Sequence, residues 1–330
     1  MAKARVAVVF VHGLARKPAP ARMEALWLWG LARSDPHPEA FPPPNPGLEL
    51  EAQGVPAVFT YYADVFYGDD HETDLQDMLE STVSVSAAGA DAAPSPSDLH
   101  AIYAPTPASA AEAAFLLGVE SRMAARLALT APGRGGMGAA DLEIASWLPL
   151  IVQQALIKKA AMEAYYYLFD KEFVRADGVR FMPRRELRAR FIASVEGALG
   201  KADRVVVVGH SMGSMLAYDV LNNVAACPPV DTLITIGSPL GITEVQQRLA
   251  GRSGELAFPA ARLGRWVNIY DPRDPIAADP VLANDFTPVD GKAVEDIEES
   301  NWGSWRHTVT HYLAGPKLRK VLAGATGIAL

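Results

Sequence analysis

Apolar residues follow two alternating patterns along the chain. Short β-branched runs are followed by stretches in which apolar residues recur at helical spacing. The runs that predict strands are RVAVVFV (5–11), VPAVFTYYADVFYG (55–68), RVVVVG (204–209), DTLITIGS (231–238), GRWVNIYD (264–271) and GKAVEDIE (291–298), the last at an edge. Strands that alternate with helices predict an α/β fold, with a mostly parallel sheet flanked by helices.

Helical spacing is clearest between these runs. The stretches that predict helices are ARMEALWLWGL (21–31), RRELRARFIASVEGAL (184–199), SMLAYDVLNNVA (214–225) and TVTHYLAGPKLRKVLAG (308–324). The last is expected to form one terminal helix that begins at Thr308 as its N-cap. The proline-rich segment 34–47 is predicted to be a loop, because proline fits neither a helix interior nor a central strand.

Residues 69–180 interrupt the alternation. Long alanine-rich helical patterns are separated there by segments rich in Gly, Pro and Ser, and no strand is predicted. We therefore expect residues 1–68 and 181–330 to form the core, and residues 69–180 to form an inserted helical cap.

Composition narrows the classes of function. The chain has 330 residues, half of them hydrophobic, so it can bury a sizeable core. The formal net charge of -8 argues against nucleic acid as a partner. Cys227 is the only cysteine, which excludes an internal disulfide framework and a cysteine-based metal cluster and is compatible with the cytoplasm.

The apolar segments do not predict a targeting or membrane segment. The apolar run near the N-terminus is short and leads directly into a loop, so we interpret it as a strand rather than a signal peptide. The most apolar later stretch, 144–169, is interrupted by Pro149 and by Lys158 and Lys159, so no transmembrane segment is expected.

The segment GHSMG places Ser211 between Gly209 and Gly213, directly after a predicted strand and before a predicted helix. This strand–turn–helix setting is the one in which a serine hydroxyl is exposed at the carboxyl end of a sheet as a nucleophile. The alternative is an ordinary turn whose serine caps the following helix. The setting favours the nucleophile.

A serine nucleophile needs a base and a carboxylate that orients the base, and in this setting they follow the serine in the order acid, histidine. His210 directly precedes Ser211, and only His307 and His311 follow it in the chain. After the strand 264–271, Asp271 and Asp274 are both candidates for the acid. We favour Asp274, because Asp271 at the strand end is placed to cap a turn.

Acyl transfer also needs backbone N–H groups that stabilise the developing oxyanion. Met212, the residue after the proposed nucleophile, is one candidate donor. The loop after the first strand, VFVHGL, offers Leu14 as the other, with Gly13 permitting the turn.

The segments VFVHGL, VVVVGHSMGSMLAYDVL, NIYDPRDPIA and HTVTHYL together resemble an α/β-hydrolase of the bacterial lipase and esterase kind. The resemblance covers residues 3–68 and 184–323. It implies a serine hydrolase that uses water and needs no metal or other cofactor. A histidine five residues before a Tyr-Leu pair is typical of such relatives, which favours His307 over His311.

We therefore expect an esterase or lipase that cleaves small-molecule carboxylic esters with apolar groups. A thioesterase or peptidase with the same triad remains an alternative, as does a catalytically silent binding or scaffold module. Helices between residues 108 and 169 are expected to cover Ser211. The sequence does not identify the natural ester or the oligomeric state.

Overall fold

A computed structural model describes residues 3–13, 15–69, 105–130, 150–250, 254–303 and 305–330. Its main sheet has six parallel strands in the order β2-β1-β5-β6-β7-β8. These strands are β1 (Ala4–Val11), β2 (Ala57–Thr60), β5 (Ala202–His210), β6 (Val230–Ile236), β7 (Leu263–Tyr270) and β8 (Val294–Glu298). The α/β fold with a parallel sheet is confirmed.

Helices cover the sheet on both sides. In chain order they are α1 (Pro20–Ala32), α2 (Ala63–Tyr67), α3 (Ala110–Thr130), α4 (Leu150–Leu168), α5 (Pro183–Lys201), α6 (Met212–Asn223), α7 (Thr243–Leu249), α8 (Val309–Ala314) and α9 (Pro316–Thr326). Side chains of α1, α8 and α9 pack on one face of the sheet. Side chains of α2 to α7 pack on the other, which we call the α6 face.

The central strands are buried on both faces, which explains their continuous valine runs. In β5, Val205 and Val207 pack on the α6 face, whereas Val206 and Val208 pack on the opposite face. A strand that is buried on both faces favours apolar residues at consecutive positions, so β5 appears in the sequence as a run of four valines.

Two predicted elements are shorter than the sequence suggested. Strand β2 covers only Ala57–Thr60, because the chain then turns into the short helix α2 (Ala63–Tyr67). The predicted terminal helix is two helices, α8 and α9, since Gly315 has an extended conformation and Pro316 starts a new helix. Thr308 precedes α8 as predicted, but its hydroxyl donates to the Trp305 carbonyl and does not cap the helix.

The block at 69–180 is not entirely helical. Strands β3 (Phe173–Val174) and β4 (Arg180–Phe181) form a small antiparallel hairpin, so the expectation of no strands there was wrong. Strands of two residues are too short to show a period-two pattern in a sequence. Residues 70–104 and 131–149 of the predicted insertion lie outside the described residues.

Candidate active site

Ser211 occupies a strained turn between β5 and α6. Its backbone has φ 56 and ψ -126, an uncommon conformation for a residue with a side chain. The Ser211 N–H donates to the Ile236 carbonyl of the neighbouring strand at 3.0 Å. The turn therefore sits at the carboxyl edge of the sheet, where ligands bind in open parallel sheets.

Gly213 lets the first turn of α6 approach the end of β1. A Cβ atom at this position would lie 2.2 Å from the Val11 carbonyl oxygen and 2.6 Å from that of His12. Both distances are far below van der Waals contact. The glycine in the motif is therefore required by helix–strand packing at this turn.

Two further serines support the turn. The Ser214 hydroxyl donates to the Ser211 carbonyl at 2.5 Å, and its oxygen is 2.7 Å from the Ser238 hydroxyl. Ser238 in turn accepts the Leu240 N–H at 3.3 Å. This buried chain of hydrogen bonds links the turn to the loop that follows β6.

Asp274, in the loop after β7, is fully buried and lies against His307. Its Oδ2 is 2.7 Å and its Oδ1 3.0 Å from Nδ1 of His307. Oδ2 also accepts the Tyr312 hydroxyl at 2.8 Å, and Oδ1 accepts the Ile276 N–H at 2.8 Å. Burial alone would raise the pKa of Asp274, but His307 and these donors outweigh it and hold that pKa below its ordinary value.

Asp271 has a different environment. It accepts the N–H groups of Arg273 at 2.7 Å and Asn301 at 2.6 Å, and so connects the β7 loop to the loop after β8. Burial raises the pKa of Asp271 to about 6. These contacts are those of a carboxylate that joins two loops, whereas Asp274 contacts a histidine ring.

The two candidate histidines lie in different surroundings. His307, in the loop between β8 and α8, pairs with Asp274. His311 lies within α8, where its ring stacks on Trp302 with 3.7 Å between ring centroids. Burial lowers the pKa of His311 well below its ordinary value.

His210, directly before Ser211, was not singled out by the sequence. Its Nε2–H donates to the His307 carbonyl at 3.0 Å, and the two rings are 4.5 Å apart between centroids. Burial lowers the pKa of His210 well below its ordinary value, so the ring is neutral. Among the described residues, Nδ1 of His210 has no hydrogen-bond partner. A hydrogen bond thus connects His210, the neighbour of Ser211, to the loop that holds His307.

Gly237 is a second residue that the sequence did not indicate. It has a left-handed conformation, with φ 53, directly after β6. A Cβ atom there would lie 2.8 Å from Oδ2 of Asp274 and 3.0 Å from Nδ1 of His307. Only glycine leaves room for this pair.

The loop after β1, which we call the β1 loop (His12, Gly13 and Ala15), lies against the turn that holds Ser211. A Cβ atom on Gly13 would be 2.7 Å from Cβ and 3.2 Å from Oγ of Ser211. Leu14, the predicted oxyanion donor of this loop, lies outside the described residues. Met212, the other predicted donor, is the first residue of α6 and carries one of the N–H groups that a helix leaves without an internal acceptor.

His12 is locked within the β1 loop by Tyr62. Nδ1–H of His12 donates to the Gly13 carbonyl at 2.6 Å, and its Nε2 accepts the Tyr62 N–H at 3.0 Å. The Tyr62 hydroxyl donates to the His12 carbonyl. Burial lowers the pKa of His12 to about 3, so this ring stays neutral and has a structural role.

Comparison with known proteins gives one family match. The family model described as a PGAP1-like alpha/beta domain matches residues 145–250, which include Ser211 and its turn but neither Asp274 nor His307. The match begins inside the block predicted to be an insertion. The search of curated proteins gave no match.

Two kinds of feature are absent from the described residues. No helix among the described residues is both long and apolar enough to cross a membrane. These residues are 3–13, 15–69, 105–130, 150–250, 254–303 and 305–330. Across the same part of the chain, no group of three or more His, Cys, Asp or Glu side chains is arranged to hold a metal ion.

Proposed function

Because the chain has the fold and the partial family match of an α/β-hydrolase superfamily member, we propose that it is a serine hydrolase that cleaves carboxylic esters. The observation that carries this proposal is the hydrogen bond between His307 and Asp274 at the sheet edge where Ser211 occupies its strained turn. The three residues follow the carboxyl ends of β5, β7 and β8 in the order serine, acid, histidine.

In the proposed first half-reaction, Oγ of Ser211 attacks the ester carbonyl carbon. Nε2 of His307 accepts the serine proton and then donates it to the leaving alcohol, which departs as the acyl-enzyme forms. Asp274 accepts Nδ1–H of His307, so the lone pair of the neutral ring is on Nε2. The Asp274 carboxylate then stabilises the imidazolium that forms when Nε2 takes the proton.

In the second half-reaction a water molecule takes the place of the alcohol. His307 accepts a proton from this water, whose oxygen attacks the acyl carbon, and the same proton returns to Ser211 as the carboxylic acid leaves. The backbone N–H groups of Met212 and Leu14 are proposed to stabilise the oxyanion in both half-reactions.

Apolar acyl or alcohol groups are the proposed substrates. Helices α3 and α4 lie on the α6 face, and Phe115, Val119 and Tyr165 share a hydrophobic cluster with Met212 and Met215 of α6. Helix α4 also contacts the β1 loop through Glu163 and Ala15. The contact between α4 and the β1 loop, which lies against Ser211, supports the proposal that the helices between residues 108 and 169 cover Ser211 and shape an apolar site.

The test is hydrolysis of p-nitrophenyl esters with short to long acyl chains, alongside a thioester and a peptide. We expect ester hydrolysis by the wild-type protein and loss of about 10³-fold or more in kcat for Ser211→Ala, without loss of folding. Ser194→Ala is the matched control, since Ser194 lies on α5 and its hydroxyl donates only within that helix, to the Arg190 carbonyl. Hydrolysis that is unchanged in Ser211→Ala would exclude Ser211 as the nucleophile.

A further inference from the structure

A buried carboxylate from α4 reaches the β1 loop. Glu163 is 1% exposed, and its Oε1 accepts the Ala15 N–H at 2.9 Å. The same oxygen accepts the Tyr67 hydroxyl. Ala15 is separated from Glu163 by 148 positions in sequence, so this contact joins two distant parts of the chain.

The strained backbone conformation of Ala15 needs a stabilising contact from another part of the chain. Its φ is 73, in the left-handed region that is strained for a residue with a Cβ. The hydrogen bond to Glu163 fixes the direction of the Ala15 N–H. Gly13, two residues earlier, lies against Ser211.

The surroundings of Glu163 keep its side chain in place. Burial raises the pKa of Glu163, while the Tyr67 hydroxyl, Lys159, the Ala15 N–H and Lys17 oppose that rise. The Lys159 ammonium lies 5.3 Å from the centre of the Tyr67 ring. Either protonation state of the carboxyl group leaves an oxygen that can accept the Ala15 N–H.

We propose that Glu163 is a positioning residue that holds the β1 loop in its catalytic conformation by accepting the Ala15 N–H. The inference rests on the proposed hydrolase function, in which backbone N–H groups beside Ser211 stabilise the oxyanion. A loop held in advance adds no reorganisation cost when the oxyanion forms. Since Glu163 belongs to α4, this hydrogen bond couples the position of the helix to the β1 loop beside Ser211.

Isosteric variants test the hydrogen bond apart from the charge. Glu163→Gln keeps the length and an acceptor oxygen but loses the charge, whereas Glu163→Met keeps the size and has no oxygen. Glu163→Asp keeps the charge on a side chain one methylene shorter. Glu112→Gln is the control, because Glu112 is also a buried carboxylate, and its side-chain partners among the described residues are Tyr165, Ala108 and Lys171, none of which belongs to the β1 loop.

Two kinds of measurement are made on each variant that melts as a folded protein. One is kcat and KM for a p-nitrophenyl ester. The other is the inhibition constant of an aryl trifluoromethyl ketone, whose adduct with Ser211 carries the oxyanion. We expect Glu163→Met and Glu163→Asp to lose about tenfold to a hundredfold in kcat and a similar factor in ketone affinity, with KM nearly unchanged. Glu163→Gln and Glu112→Gln should stay within about threefold of the wild type in kcat and in ketone affinity.

The outcomes separate this inference from the proposed function. If the wild-type protein hydrolyses no ester, or Ser211→Ala is fully active, the proposed function fails and the inference fails with it. If those two behave as expected but Glu163→Met keeps its kcat, or Glu163→Gln loses as much as Glu163→Met, only the inference is overturned. The comparison of kcat between Glu163→Gln and Glu163→Met tests the inference even if Glu163→Asp does not fold.

Discussion

Nδ1 of His307 lies 2.7 Å from Oδ2 of Asp274, with Tyr312 donating a second hydrogen bond to the same oxygen at 2.8 Å. The carboxylate is fully buried, while the histidine side chain is 11% exposed. A buried acid behind a slightly accessible ring leaves the other ring nitrogen as the part of the pair available to a substrate. This relationship distinguishes Asp274 from Asp271 and His307 from His311.

Asp274→Asn should lower kcat by about 10³-fold to 10⁴-fold while the protein remains folded. An asparagine amide cannot stabilise the imidazolium charge, and it favours the wrong tautomer of His307. The measurement is steady-state ester hydrolysis together with thermal melting. Asp271→Asn is the control, because that carboxylate connects two loops, and we expect it to lower the melting temperature more than kcat. A deep loss of kcat in Asp271→Asn, with an active Asp274→Asn, would transfer the acid role to Asp271.

His307→Ala should lose about 10³-fold or more in kcat, because Ser211 then keeps its proton. His311→Ala should lose its stacking on Trp302 and melt at a lower temperature, with kcat within a few fold of the wild type. Both variants are assayed on one ester at one pH. If His311→Ala showed the deep loss instead, the two roles would have to be exchanged.

The sequence predicted the sheet well because its central strands are buried on both faces. Runs such as that of β5 and the helices between them are local patterns, and local patterns are visible in a single sequence. The break between α8 and α9 was missed even though Pro316 is visible, because the apolar spacing continues on both sides of it. The hairpin β3–β4 is too short to have a pattern.

Chain order and residue spacing predicted the candidate site only in part. They narrowed the acid to two residues of one loop and the base to two residues four apart. Which acid meets which ring depends on how the loops after β7 and β8 pack, and that is a long-range property. Gly237 and Glu163 were not found for the same reason, since their partners are distant in sequence.

Gly237→Ala should lower kcat strongly, because the new methyl group would be 2.8 Å from Oδ2 of Asp274 and 3.0 Å from Nδ1 of His307. The side chains of this pair would have to separate. Gly178→Ala is the matched control, since Gly178 also has a positive φ, of 83, but an added Cβ would have nothing within 4 Å. Both variants incur backbone strain, of roughly 1 kcal/mol, so comparing their kcat values isolates the contact with the pair. Equal kcat values in the two variants would contradict this prediction.

Glu299 should make the stability of the protein depend on pH. Its side chain is buried and accepts the Lys317 N–H at 2.7 Å and the Leu318 N–H at 3.2 Å at the start of α9. Burial raises the pKa of Glu299 from 4.5 to about 7. Between these two values the folded state binds more protons at this group than the unfolded state, so the free energy of unfolding falls as pH rises.

Glu299→Gln removes this titration and keeps an oxygen that can accept the Lys317 N–H. We therefore expect the melting temperature of the wild type, relative to that of Glu299→Gln, to fall between about pH 5 and about pH 8, with most of the change complete slightly above pH 7. Glu298→Gln is the control, because Glu298 is the exposed neighbour on β8. Melting curves of the three proteins across this pH range are the measurement. A constant difference between wild type and Glu299→Gln at every pH would show that the carboxyl group of Glu299 has the same pKa in the folded and unfolded states.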